Sequence, residues 1–277
     1  MIKRFAALFC LLALAGPLCA QDNFFERWEA RTTRTQSKQP QWAPPVVAPF
    51  VALIQVYRSD FTRQITPTGA TVWNYDTSKG LNLIPWANTE IDINLPPFLD
   101  HSAPNTKDGF GDVSFLGKYR ILTGNEKHGN YAVSFMVTGT IPTGSYSNGS
   151  ADATVNPTLG LGKGFGKFNI QSCLGATLPT GDTKKLGRPV LWNITGQYHL
   201  GKYLWPEVEF NSTYYHGGPN DGKTQTFATP GFTVGRLKIN HDPKSRLGIG
   251  LGGGMQIATS EFHTYNHGLV FTGRFLF

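Results

Sequence analysis

The sequence predicts an all-β protein, a transmembrane, antiparallel, up-and-down β-barrel of about twelve strands. Three observations support this fold class: an export signal at the N-terminus, period-2 alternation along most of the chain, and connections that alternate between short and long. Aromatic residues (13%) and glycines (32 residues) are abundant, whereas charged residues make up only 16% of the chain. No second long apolar segment follows the N-terminal one, which excludes helical membrane spans.

The N-terminal residues have the features of a signal peptide. Lys3 and Arg4 precede an apolar run from Phe5 to Ala15, and Gly16-Pro17 follows directly. This run is much shorter than the ~20 residues that a spanning helix needs. We therefore expect residues 1–20 to be a signal peptide that is removed after Ala20.

A polar leader, residues 21–49, is expected to precede the barrel, residues 50–277. The leader ends in Pro40-Gln41-Trp42-Ala43-Pro44-Pro45, which is typical of an extended tether. We expect the barrel to begin after it.

Charge and cysteine content exclude several classes of protein. The chain has 25 basic and 18 acidic residues; loss of Lys3 and Arg4 leaves 23 against 18, a net charge of +5. No cluster of Lys and Arg interleaved with aromatic residues is present, so nucleic-acid binding is not predicted. Cys173 is the one cysteine after the signal peptide, and we interpret it as a small apolar residue in a strand.

Alternation of apolar and polar residues marks the strands. Residues 90–95 (EIDINL) alternate without a fault, and residues 112–121 and 192–199 follow the same pattern. The segments that we predict as strands are 50–63, 70–77, 86–97, 111–122, 131–142, 152–165, 168–179, 189–200, 203–216, 226–239, 245–258 and 266–277. The first two fit the pattern least well, so a ten-stranded barrel with an ordered N-terminal extension is the alternative.

The connections support a barrel over a soluble β-sandwich, the competing architecture. Gly166-Lys167 and Gly201-Lys202 are short turns, whereas residues 143–151, 180–188 and 217–225 form longer loops. Pro-Thr-Gly triplets stand where strands should end, at residues 67–69, 142–144 and 179–181.

Aromatic residues gather near the short turns and at the C-terminus. We expect one interfacial girdle to contain Tyr119, Tyr131, Phe168, Tyr198, Tyr203 and Trp205. The last strand ends in Phe277, which looks like the C-terminal signature of bacterial outer-membrane barrels. We therefore expect a Gram-negative outer-membrane location, with outer-membrane lipid and the barrel-assembly machinery, through Phe277, as partners.

Several motifs resemble one known family. They are Asp60-Phe61-Thr62-Arg63-Gln64, Lys79-Gly80-Leu81, Ile84-Pro85 and the stretch DGFGDVSFLGKYR from Asp108 to Arg120. Over about residues 50–277 the chain resembles the family called MetA-pathway of phenol degradation. The resemblance implies an outer-membrane barrel that passes small, often hydrophobic or aromatic compounds, and it supplies no catalytic or binding residues.

The charged strand faces are predicted to line the lumen. The candidates are Glu90, Asp92, Asp112, Lys118, Arg120, Glu207, Glu209, Arg236, Lys238 and Arg274. Most acids and bases lie on different strands, so in a water-filled pore they would create a transverse field that favours polar or anionic solutes. Alternatively, these charges pair across a narrow barrel and block it. No loop suited to folding into the pore is evident.

We therefore predict a pore or transport channel for small solutes, with a non-conducting structural or adhesive surface barrel as the alternative. An outer-membrane hydrolase is disfavoured, because His101, His216, His263 and His267 do not form an ordered set with a nucleophile. No catalytic residue, metal site or cofactor is predicted. The glycine-rich runs at 160–164 and 248–254 do not open a helix, so we interpret them as strand glycines that ease curvature.

Overall fold

The computed structural model of the protein describes residues 24–77, 79–242 and 245–277. The predicted signal peptide, residues 1–20, therefore lies outside the described residues. Neither helix in the described part of the chain combines the length and the apolar character needed to cross a bilayer.

The described residues form sixteen strand segments and two helices, α1 (Phe24–Ser37) and α2 (Thr183–Leu186). The segments are β1 (Val56–Ile65), β2 (Thr71–Tyr75), β3 (Gly80–Trp86), β4 (Thr89–Asn94), β5 (Phe98–His101), β6 (Gly109–Phe110), β7 (Val113–Gly124), β8 (Tyr131–Ile141), β9 (Thr154–Phe165), β10 (Phe168–Ala176), β11 (Leu178–Pro179), β12 (Val190–Tyr198), β13 (Leu204–Tyr214), β14 (Thr224–Lys238), β15 (Gly248–Ala258) and β16 (His267–Leu276).

These segments make a closed barrel of twelve antiparallel strands. Four barrel strands are interrupted, as β2/β3, β4/β5, β6/β7 and β10/β11, so sixteen segments build twelve strands. The first and last strands pair from Val56 opposite Leu276 to Ile65 opposite His267, which closes the sheet. Closure leaves no edge strand unpaired. The predicted fold class is confirmed, with twelve strands and not ten.

The first predicted strand, 50–63, was placed too early. The strand begins at Val56, and residues 50–55 are buried without being part of the sheet. The apolar run Phe50-Val51-Ala52-Leu53-Ile54 does not alternate, so it lacks the two chemically different faces of the other strands. It packs in the barrel interior, as described below.

The barrel has an apolar outer surface and a polar inner one. Large hydrophobic side chains point outwards and are exposed, for example Trp192 (52%) and Phe271 (55%). Charged side chains of the same sheet point inwards, and Glu90 and Glu209 are fully buried. This arrangement is the reverse of a water-soluble protein, and a hydrocarbon layer is the environment that such an outer surface suits.

The connections predicted as short turns and those predicted as long loops lie on opposite rims, although the nine-residue connection between β14 and β15 shares the rim of the short turns. The long-loop rim contains the connections 66–70, 102–108, 142–153, 180–189, 215–223 and 259–266. The short-turn rim contains 87–88, 125–130, 166–167, 199–203, 239–242 and 245–247, together with α1 and the C-terminus. Gly166 and Gly201 have positive φ angles of 62° and 65°, which allow the two shortest glycine turns to reverse the chain.

One residue of the predicted aromatic girdle lies inside the barrel. Trp205 is 8% exposed and stacks on His199, with ring centroids 4.1 Å apart. It shares the inward register of β13 with Glu207 and Glu209. Proximity to a short turn is therefore insufficient to assign a girdle position, because the register decides which face an aromatic residue occupies.

Candidate functional site

Residues 38–55 run through the barrel interior between α1 and β1, and we call this segment the plug. Its stretch Val46–Ile54 (VVAPFVALI) is predominantly apolar, and most of its side chains are buried. Hydrogen bonds connect the plug to nine strand segments around the ring, namely β1, β3, β4, β7, β8, β10, β13, β14 and β16. A segment that contacts strands around a closed ring lies inside it.

Carboxylates of the barrel wall accept hydrogen bonds from the plug backbone. Glu207 Oε1 accepts from Val46 N at 2.8 Å. The two oxygens of Glu209 accept from Val47 N at 2.8 Å and Ala48 N at 2.6 Å. A buried backbone N–H group without a hydrogen-bond partner lowers the stability of the fold. These carboxylates therefore take the place of the water molecules that would otherwise accept hydrogen bonds from an extended segment.

Cations of the wall donate hydrogen bonds to plug carbonyls. Arg58 Nη2 donates to Val46 O at 2.6 Å, and Arg274 Nη2 donates to Pro45 O at 2.7 Å. Ser134 Oγ adds a neutral donor at 2.7 Å from a carbonyl further along the plug. Charge-assisted hydrogen bonds are stronger than neutral ones. Because these bonds go to backbone atoms, they hold the plug independently of the identity of its side chains.

Two ion pairs lie in the same wall. Lys118 Nζ is 2.7 Å from Glu90 Oε1 and 3.3 Å from Ala52 O of the plug. Arg58 Nη2 is 2.6 Å from Asp60 Oδ2. The predicted separation of acids from bases is therefore wrong for Lys118 and Glu90, whose strands β7 and β4 are adjacent.

Sequence reasoning missed Arg58 and Asp60. Both alternate with outward-facing Tyr57 and Phe61 in β1, so the signal was present in the sequence. It was hidden because the first strand was predicted from residue 50, where the alternation is absent.

Of the other predicted lumen residues, Asp112, Arg236 and Lys238 lie at or near the two rims, whereas Asp92 lies in the buried wall. Asp112 is at the long-loop rim, where its carboxylate accepts hydrogen bonds from the backbone of Thr143, Gly144 and Ser150 and from the Ser150 hydroxyl. It therefore fastens the connection 142–153. Arg236 is half-buried near the short-turn rim, and Lys238 is exposed there. Asp92 is buried beside Glu90, one step along the inward register of β4.

Helix α1 is held against the short-turn rim. Arg120 Nη1 donates to Thr35 O at 2.9 Å, and Arg246 donates to Thr33 Oγ1 at 2.8 Å and Gln36 Oε1 at 2.7 Å. Burial, with a smaller effect of the nearby Arg236 charge, lowers the pKa of Arg246 to about 10. Arg246 is therefore protonated at neutral pH and can hold the helix.

Inward-facing glycines of β9 make room for plug side chains. A Cβ at Gly162 would lie 2.5 Å from the Trp42 ring, and one at Gly160 would lie 3.3 Å from Val51 Cγ2. The run at 160–164, which we interpreted as strand glycines that ease curvature, thus also accommodates the plug.

We expect Gly162→Val to loosen the plug, because the added side chain occupies the space of the Trp42 ring. Overpacking of this kind costs about 1–3 kcal/mol. The measurement is the fraction of time that single molecules conduct in a planar bilayer, which should rise.

Gly139→Val is the matched control, because a Cβ at Gly139 meets nothing within 4 Å. Equal open times for the two variants would contradict the expectation that a side chain added at Gly162 loosens the plug.

The plug separates two cavities. One, of about 700 Å³, extends towards the long-loop rim, and the other, of about 330 Å³, lies towards the short-turn rim. Both are bordered by Pro44, Phe50 and Ile54 of the plug. The interior is therefore divided at the plug.

Two solved structures share this fold. The chain is similar to an outer-membrane channel from Pseudomonas putida F1, with a TM-score of 0.55 and 14% identity over 85% of this chain and 100% of that one. It is also similar to the NanC porin, with a TM-score of 0.51 and 11% identity over 80% of this chain and 98% of that one. None of the curated proteins matches the chain at a significant level. A family model matches residues 35–262, which include the whole plug. The chain therefore belongs to the family described as "Putative MetA-pathway of phenol degradation".

Proposed function

We propose that the protein is an outer-membrane channel for small solutes and that the plug is its gate. The observation that carries this proposal is a charged lumen wall within which one segment, the plug, divides two cavities. A barrel that served only as a scaffold would need no charged interior, since apolar packing fills a small barrel more cheaply in free energy. The channel and porin folds of the two similar structures support the same function.

The rims suggest an orientation and the partners. Short turns face the periplasm in barrels of this class, so α1 and Phe277 would lie on the periplasmic side. Outer-membrane lipid would cover the apolar outer surface. The barrel-assembly machinery would recognise β16 and its terminal Phe277, and the small-molecule solute would enter through the long-loop rim.

The solute class follows from the family and from the cavity together. The family description concerns phenol degradation, so small hydrophobic or aromatic compounds are the proposed solutes. The cavity towards the long-loop rim supports this choice, because apolar plug residues such as Phe50 and Ile54 face it beside polar wall residues.

We propose no enzymatic activity. His101 Nε2 bonds to Asn148 Oδ1 at 2.8 Å, and the His263 ring nitrogens bond to Ser260 O and Asn266 Oδ1. The partners of these imidazole nitrogens are amide and carbonyl oxygens. In a hydrolase, a histidine that acts as the base would instead have a nucleophile and an orienting carboxylate as neighbours.

Single-channel recording in planar bilayers tests the proposal. The full chain should show long closed periods with brief, discrete current steps, because the plug divides the lumen. The division of the lumen also favours the alternative, a non-conducting structural or adhesive barrel. Silence from both the full chain and a chain without the plug, at all tested voltages and salts, would establish that alternative and reject the channel.

A further inference from the structure

The cavity of about 700 Å³ towards the long-loop rim, which we call the vestibule, has two chemically different sides. Its floor is the plug, through Pro44, Ala48, Pro49, Phe50 and Ile54. Its wall is largely polar and belongs to the barrel strands. Such a combination suits a small ligand with an apolar body and one charged or polar group.

The vestibule lining contains charged groups of both signs. The lining cations are Arg58, Lys79, Lys118 and Arg274. The lining acids are Glu90, Asp92 and Asp112. Asp60, the ion-pair partner of Arg58, lies beside this lining and makes the numbers of cations and acids equal. The question is therefore which cation has donors available to a ligand.

Three of the four cations are engaged by the protein itself. Arg58 forms an ion pair with Asp60, and Lys118 forms one with Glu90. Arg274 donates hydrogen bonds to a plug carbonyl and to a threonine hydroxyl of β14. Their donors are largely committed to wall and plug.

Lys79 differs from these three. Within residues 24–77, 79–242 and 245–277, no carboxylate or carbonyl lies within hydrogen-bonding distance of its ammonium group. Its backbone is held on both sides, since Lys79 N donates to Asp76 O at 2.8 Å and Lys79 O accepts from Leu95 N at 3.0 Å. Lys79 thus has a fixed backbone and an ammonium group without a hydrogen-bond partner among these residues, in the attractive field of Asp60 and Asp92.

The wall beside Lys79 supplies neutral polar groups. Asn82 and Asn94 lie on the paired strands β3 and β4, and Asn94 Nδ2 donates to Ser114 Oγ at 3.1 Å. Asp92 is buried in this wall beside Glu90. Amide, hydroxyl and carboxyl groups near Lys79 form a polar wall opposite the apolar floor.

We propose that the vestibule binds a small organic carboxylate with an apolar body, with the carboxylate on Lys79 and the body on the plug floor around Phe50. The physiological meaning rests on the proposed channel function, because the ligand would be the solute that enters it. The binding itself does not require conduction. Since the floor belongs to the plug, the ligand contacts the gate directly.

Isothermal titration calorimetry of the full chain in detergent micelles tests this inference with benzoate as the probe. Benzoate should bind more tightly than acetate, which lacks the apolar body, and more tightly than benzyl alcohol, which lacks the charge. Lys79→Gln should weaken benzoate binding about tenfold, the effect of losing one charge-assisted hydrogen bond. Lys79→Arg should largely restore it, because the charge and the donors return.

Lys167→Gln is the matched control, since Lys167 is an exposed lysine in a short turn on the opposite rim. Unchanged benzoate affinity in Lys79→Gln, or equal binding of benzoate and benzyl alcohol, would overturn the inference. Heat-modifiable migration in gels confirms that each variant is folded. Lys79-dependent binding to a barrel that never conducts would keep the site and reject the channel, so the two failures are distinguishable.

Discussion

A chain that lacks residues 24–55 should carry a mean current at least about tenfold larger than the full chain in planar bilayers. This deletion removes α1 and the plug together, so the two cavities of about 700 and 330 Å³ merge into one water-filled path. The wall can tolerate the loss, because water can replace the plug backbone as the hydrogen-bond partner of Glu207, Glu209 and Arg274. The measurement is single-channel conductance at fixed voltage and salt.

A synthetic peptide of residues 38–55, added to the deletion variant, should lower the current again. The wall contacts the plug backbone through side-chain hydrogen bonds that need no covalent link to β1. The control peptide carries Val51→Asp, which would bury a charge at a fully buried position and should block poorly. Equal currents from the deletion variant and the full chain, with both folded, would show that the plug is not the gate.

Lys118→Met should lower the free energy of unfolding by about 3–5 kcal/mol, the cost of leaving one partner of a buried ion pair uncompensated. Glu90 is fully buried, and its carboxylate would keep only the hydrogen bonds from Ile54 N and Asn82 Nδ2. The plug carbonyl of Ala52 would also lose a donor. Urea unfolding in detergent micelles, followed by tryptophan fluorescence, measures the change.

The double variant Lys118→Met, Glu90→Gln should recover most of this stability, because it removes the unpaired charge. Lys167→Met, at an exposed turn, should leave the unfolding midpoint unchanged. A double variant no more stable than Lys118→Met alone would mean that the effect arises from lost packing and not from charge.

The faces of most barrel strands could be predicted from the sequence because alternation is a local property. Residues 90–95 illustrate this: their inward acids and outward aliphatic residues follow from period 2 alone. Arg120 and Glu209 could be placed on the inner face for the same reason. Their partners could not be predicted, since Thr35 and Val47 lie 85 and 162 positions away along the chain.

Trp205 and residues 50–55 show where local reasoning fails. An aromatic residue near a short turn suits both a girdle and an interior stack, and the register of β13 decides between them. The apolar run Phe50–Ile54 likewise suits a strand facing lipid or a segment buried in the lumen. The second outcome depends on side chains of four distant strands, β4, β7, β8 and β10, that form hydrogen bonds with its backbone.

The sequence by itself determined the strand pattern, the two faces of the sheet and the two kinds of rim, because each depends on residues that are close along the chain. Only the tertiary structure decided that the segment before β1 fills the lumen and that the wall charges hold it. Closure of the barrel brings acids and bases from many strands around one axis. Because burying a charged group is unfavourable in free energy, each of them needs an ion-pair or hydrogen-bond partner. The plug backbone supplies many of those partners.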